Sequence, residues 1–171
     1  GFEVEHLTVG AVTPTAGHVR AVAGRLGAVL VEMPLRDAGY LLPTWAELVE
    51  LSAACREREV ALHLDGARLW ESAPWLGRPL PEICALADST YVSFYKGLAG
   101  LSGAALVGPT EFIAEAKLWR RRHGGTLFTV APLALRHRRR DAAPTPPQPP
   151  DRPEQGRNDQ DNQDRPEPSP E

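Results

Sequence analysis

Apolar positions fall along this chain in two alternating rhythms. The unbroken runs Ala28-Val-Leu-Val31 and Val60-Ala-Leu-His-Leu64 read as buried strands, while the segments between them carry apolar side chains at helical spacing. The first run ends near Met33, where Pro34 and Gly39 mark a loop. Ahead of it, Glu3 to Gly10 reads as a strand or loop, and Thr15 can cap a short helix reaching about Leu26. The strongest helix pattern begins at Thr44-Trp-Ala-Glu47, a capping box in which hydroxyl and carboxylate satisfy free amide donors of the first turn. Trp45, Leu48, Leu51 and Cys55 then share one face, with Glu47, Glu50 and Glu57 opposite. Ser89-Thr-Tyr-Val-Ser-Phe-Tyr95 is rich in β-branched and aromatic residues and predicts a third strand. Gly103-Ala-Ala-Leu-Val107 predicts a fourth, and Thr110 starts a helix with Phe112, Ile113, Ala116 and Trp119 on one face.

Strands alternating with helices predict an α/β domain, built on a mainly parallel sheet flanked by helices on both sides. In such sheets ligands bind beyond the carboxyl ends of the strands, where Asp65 and Lys96 fall. That domain spans residues 1–140. From Asp141 to Glu171 the chain holds 9 of its 17 prolines and 8 acids against 3 arginines, with only Ala142 and Ala143 apolar. Such a stretch cannot bury enough surface to offset its ordering entropy, so an acidic, proline-rich disordered tail is expected. Residues 1–140 then carry 16 basic and 14 acidic side chains, a formal charge of +2, and the overall −3 belongs to the tail.

Composition narrows the function. No stretch has the roughly 20 apolar residues of a membrane span, and no segment resembles a signal peptide, so a cytoplasmic location with no membrane partner is expected. Cys55 and Cys84 form no C-x-x-C and read as small buried residues. The histidines make no ligand-spaced cluster, so no metal is expected. Arg120-Arg-Arg122 falls in the last turn of a helix, where cations complement the dipole, and the domain is not net basic enough to suggest nucleic acid. The chain starts at Gly1 and its single methionine is Met33, an expectation of a missing N-terminal part.

Two segments carry candidate chemistry. Asp65-Gly-Ala-Arg68 at a strand exit is either a charge pair closing a loop or an anion and a rigid cationic fork in one pocket. Lys96, before the glycine-rich Gly97-Leu-Ala-Gly-Leu-Ser-Gly103, is either a solvated loop lysine or a half-buried amine made nucleophilic by desolvation. Ser93 and Lys96 match the S-x-x-K of penicillin-recognising enzymes, but S-D-N and K-T-G are missing.

Together, His63-Leu-Asp-Gly-Ala-Arg-Leu-Trp70 and Ser93-Phe-Tyr-Lys-Gly-Leu-Ala-Gly-Leu-Ser-Gly103 resemble the two diagnostic motifs of the threonine aldolase and β-eliminating lyase family. These are pyridoxal-phosphate enzymes of the aspartate-aminotransferase fold. The resemblance implies that Lys96 holds the cofactor aldehyde covalently, that Asp65 keeps the pyridine nitrogen protonated, and that Arg68 reaches the substrate carboxylate or the cofactor phenolic oxygen. His63, two residues before Asp65 on one strand face, would touch the cofactor, act as a base, or be a satisfied core histidine. Ser93 would contact the phosphate, provided the strand has ended by Lys96.

The chain departs from the family in having Tyr95 where a serine usually precedes the lysine, Leu98-Ala99 after Gly97, and Thr126-Leu-Phe128 after the paired glycines. These positions leave the substrate side chain open. The resemblance ends near Leu135, so half a cofactor pocket is expected, with the family's N-terminal segment and small C-terminal domain both missing. The implied activity is retro-aldol cleavage of a β-hydroxy-α-amino acid to glycine and an aldehyde, in a protein that in its intact form is a homo-oligomer. The alternative is an inactive remnant or interaction module of the same fold, marked by exposed apolar surface.

Overall fold

A computed structural model of the chain describes residues 12–126 together with Val4, His6 and Leu7. Most of the expected opening segment, the cluster Arg138 to Arg140 and the tail expected from Asp141 lie outside the described residues. Four strands, β1 (Ala28–Glu32), β2 (Ala61–Gly66), β3 (Ser89–Ser93) and β4 (Ala104–Val107), form one sheet in that order. β1, β2 and β3 are parallel, as predicted, and β4 runs antiparallel to β3. A parallel return needs a crossover helix, and the segment between β3 and β4 contains none.

The helices are α1 (Ala16–Ala21), α2 (Trp45–Glu57), α3 (Leu69–Leu76), α4 (Leu80–Cys84) and α5 (Thr110–Arg122). The predicted capping box opens α2: Thr44 N–H donates to Glu47 Oε2 at 2.7 Å, and Glu47 N–H donates to Thr44 Oγ1 at 3.2 Å. Leu48, Leu51 and Cys55 are buried on its inner face, as the pattern predicts. Cys84, by contrast, is only half-buried.

Helix α1 stops at Ala21 rather than near Leu26, and the reason is a distant side chain. The Arg58 guanidinium donates to the carbonyls of Val19, Val22 and Gly24 at 2.6, 2.7 and 2.6 Å, taking the oxygens that a longer helix would have used. Helices α3 and α4 have no side-chain cap, and Pro74 sits inside α3; Pro81 and Glu82 in the first turn of α4 are a start signal that the sequence pattern above did not use. Packing holds them: Leu69, Ser72, Leu76 and Ile83 are buried.

The core lies against one sheet face. Val29 and Val31, Leu62 and Leu64, and Val92 point to it and meet Leu48 and Leu51 of α2. The opposite face carries Leu30, His63, Asp65, Tyr91 and Leu106, matched across the sheet by register. Sequence predicted cover on both sides. Among the described residues the second face keeps Leu30 62% and Leu106 38% exposed, and α5 has no buried residue, its predicted apolar stripe being half-buried at Ile113 and Ala116 and exposed at Phe112 and Trp119. No helix among the described residues is long and apolar enough to cross a membrane.

This one-sided core predicts an asymmetry. Leu51→Ala, at a fully buried position, should cost about 2–5 kcal/mol in urea unfolding, whereas Leu30→Ala should stay within about 0.5 kcal/mol. A comparable loss at Leu30 would mean that the second face is covered in solution.

Candidate active site

The candidate residues come from two adjacent parallel strands and the bends that leave them. β2 alternates strictly, so Leu62, Leu64 and Gly66 are buried against the core while His63 and Asp65 share the other face, half-buried. The strand then turns at once. Asp65 Oδ1 accepts from the Ala67 N–H at 3.1 Å, which fixes the carboxylate at the strand exit, and α3 starts directly after Arg68. Gly66 is required there by space: a Cβ would lie 2.8 Å from the Tyr91 carbonyl oxygen and 3.0 Å from Leu69 Cβ.

Arg68 is mostly buried. Its guanidinium stacks over the Tyr40 ring at 4.9 Å, and its Nε lies 3.8 Å from Glu71 Oε2, one helical turn on. Glu71 also reaches the lysine segment, since a Cβ on Gly97 would meet Glu71 Oε1 at 2.5 Å. The Asp-Gly-Ala-Arg turn and the residue after Lys96 are thus in contact through Glu71. The sequence reading missed Glu71, although an acid three residues after an arginine at a helix start is a legible pair. Tyr40 it could not have found, because that residue is placed by a loop with φ of +64°.

β3 ends at Ser93, so the condition set for Ser93 and Lys96 to face one site is met. Ser93 is 1% exposed, and its hydroxyl has no hydrogen-bond partner among the described residues. The neighbouring Tyr91 is near enough to be influenced by Ser93 but lies outside hydrogen-bond geometry. Lys96 is half-buried in the bend that follows, its Nζ 5.9 Å from the Tyr95 ring centre, and its carbonyl accepts from the Ala99 N–H at 2.8 Å. No hydrogen bond or ion pair among the described residues links Lys96 to Asp65, Arg68, His63 or Ser93.

His63 Nδ1 lies 2.7 Å from Ser89 Oγ, its register partner on β3. Burial pushes the imidazole below its ordinary value, and the charge of Asp65 on the same face opposes this. Tyr91, the register partner of Asp65, was also missed. Its phenol is held above the ordinary value, by burial first and then by Tyr95 beside it, with Asp65 adding to the effect. A carboxylate, a guanidinium, an amine and an unpaired hydroxyl therefore border the carboxyl end of the parallel strands.

Gly66→Ala should destabilise the chain by about 1–3 kcal/mol, because backbone must move to admit the methyl. Gly97→Ala should cost less, since the half-exposed Glu71 side chain can swing aside; urea midpoints separate the two. His63 carries a pH dependence of known sign. With its folded pKa below 6.5, the unfolded chain takes up the proton first, so its contribution is complete above about 6.5 and is lost as pH falls through the folded value. Unfolding curves of the native chain and His63→Gln should diverge below that pH, the variant losing less.

The family model described as beta-eliminating lyase matches residues 13–137. A probable low-specificity L-threonine aldolase of Schizosaccharomyces pombe is 40% identical over 88 residues, which is 52% of this chain and 23% of that protein. The low specificity L-threonine aldolase of Saccharomyces cerevisiae is 33% identical over 112 residues, 66% of this chain and 28% of the yeast protein. The chain thus spans about a quarter of the length of these curated relatives. Among solved structures, a putative L-allo-threonine aldolase from Listeria monocytogenes superposes with a TM-score of 0.72 at 44% identity, over 75% of this chain and 36% of the other. A putative aromatic amino acid beta-eliminating lyase/threonine aldolase from Exiguobacterium sp. gives 0.71 at 41% identity over the same shares. With the α/β sheet, the Asp-Gly-Ala-Arg turn and the lysine bend in place, the chain belongs to the beta-eliminating lyase family.

Proposed function

We propose that this chain is part of a pyridoxal-phosphate carbon–carbon lyase that cleaves a β-hydroxy-α-amino acid to glycine and an aldehyde. The observation that carries the reading is the buried Ser93 hydroxyl, without a hydrogen-bond partner among the described residues, three residues before Lys96 at the end of a parallel strand. A buried polar atom without a partner calls for a ligand, and a phosphate oxygen suits a hydroxyl. The donor set fits the rest of the cofactor. Lys96 supplies an amine for its aldehyde, and Asp65, held ready by the Ala67 amide, supplies a carboxylate for its ring nitrogen.

When bound, pyridoxal phosphate supplies an aldehyde that captures an amine and a protonated ring that accepts electrons from the breaking Cα–Cβ bond. The chain's own residues have separate tasks. Asp65 holds a proton opposite its carboxylate, because an adjacent anion raises the pKa of the group it faces. Arg68, stacked on Tyr40, presents a planar fork suited to the substrate carboxylate. His63, kept largely neutral by burial, can take a proton from the substrate hydroxyl. A small-molecule amino acid is the partner.

A second reading, a remnant or interaction module of the same fold, is favoured by the uncovered sheet face bearing Leu30 and Leu106. Cofactor capture separates the two. With added pyridoxal phosphate, the lyase reading expects a visible absorption band that borohydride reduction fixes to Lys96, located by peptide mass, and no such band in Lys96→Ala. Asp65→Ala should keep capture while turnover falls roughly 10²-fold or more. A band absent from the native chain, or equally strong in Lys96→Ala, would replace the lyase with the module.

A further inference from the structure

A groove of about 440 Å³ lies along α5, beside the turn that leaves β4. Ile113, Ala114 and Leu118 supply its apolar lining, next to Gly108, and Lys117 and Arg121 add two cations. The cations stand four residues apart and so share one face of the helix. Both are exposed, and neither makes an ion pair among the described residues. Arg122 is outside the groove, its guanidinium 4.8 Å from the centre of the Trp119 ring. An apolar groove edged by unpaired cations suits an occupant that is apolar and acidic at once.

The same chain contains a segment of that chemistry. Pro144, Pro147, Pro150 and Pro153 recur at every third position. Three residues make one turn of the polyproline II helix that such sequences favour, so in that conformation the four rings form one stripe. Asp151 and Glu154 each follow a proline of the series and keep its period, which sets the two carboxylates on one face about 9 Å apart. Lys117 and Arg121, on long and flexible side chains one helical turn apart, can meet a pair of that spacing. The total charges agree as well: 8 acids stand against 3 arginines from Asp141 onward, opposite a formal +2 for residues 1–140.

The connection is long enough. Residues 127–143 join the proline series to the end of α5, and a stretch of that length can span up to about 50 Å. The whole of α5 is about 20 Å long. Tethering also keeps the local concentration of the segment in the millimolar range, so individually weak contacts suffice. A polyproline II segment, already extended, loses little freedom when it docks. We propose that residues 144–154 of the same chain lie in the α5 groove, the prolines against Ile113, Ala114 and Leu118, and Asp151 and Glu154 on Lys117 and Arg121. Lys96 and the turn after β2 take no part, so the docking holds whether or not the chain captures a cofactor.

Lys96 and Lys117 are the only lysines of the chain, which gives the test an internal control. The full chain is treated with a water-soluble carbodiimide, which condenses an amine with a carboxylate where the two touch, and peptide masses locate the new bonds. Lys117 should be joined to Asp151 or Glu154 at least tenfold more often than Lys96 is joined to either, with a yield unchanged on tenfold dilution. Sodium chloride at about 0.5 M, where the screening length is about 4 Å, should cut that yield at least threefold. Arg121→Glu should cut it to a similar extent, while Arg122→Glu, outside the groove, should leave it nearly unchanged. Replacing Pro147 and Pro150 with glycine keeps every charge and should lower the yield at least twofold. Coupling that is absent, equal at the two lysines, spread evenly over Asp159, Asp161 and Asp164, or indifferent to the two prolines would overturn the proposal. So would a yield that rises with protein concentration, which would place the segment on a second copy.

Discussion

Strand β2 is hydrogen-bonded on both edges, to β1 and to β3, and in that position its two-residue period cannot slip. A shift of one residue would put Leu62 and Leu64 on the exposed face and bury His63 and Asp65 in the core. The apolar requirement on one side therefore determines where the two titratable side chains stand on the other. The same register pairs His63 with Ser89 and Asp65 with Tyr91, so the polar row is assembled by backbone pairing before any side chain meets a ligand. The turn after Asp65 adds the Arg68 fork without lengthening the path, because Gly66 lets β3 and α3 approach closely.

How much of this could be read beforehand depended on the range of the interaction involved. The α2 capping box, the four strands and the Asp65-to-Arg68 turn are set by neighbours a few residues apart, and the sequence displays them. Helices α3 and α4 lack side-chain caps and are held by the burial of Leu69, Leu76 and Ile83, a tertiary effect for which only Pro81 and Glu82 at the start of α4 give a local sign. The early end of α1 has the same origin, since Arg58 lies 34 to 39 residues from the carbonyls it takes. At the site, the strand-borne residues were legible by position. The contacts of Glu71 with Gly97 and of Tyr40 with Arg68 join segments whose closeness only the fold reveals.

The exposed sheet face and the unburied α5 belong with the short coverage of the relatives. A parallel sheet normally has both faces covered, and its strands then read as near-continuous apolar runs. Here β1 does read that way, with Ala28 and Leu30 as apolar as Val29 and Val31, although only the latter pair is buried among the described residues. The strand carries the composition of a two-sided environment while the described chain supplies one side.

The Arg58 guanidinium has a consequence for how the molecule fluctuates. An isolated helix of six residues is far too short to persist in water. By gathering the carbonyls of Val19, Val22 and Gly24 onto the residue that ends α2, the chain makes α1 part of the longer helix's cooperative unit. Amide protons in α1 are then protected from solvent deuterium by the lifetime of a junction that is remote in sequence. Opening of the helix's own hydrogen bonds is thereby coupled to release of an arginine that belongs to the other helix.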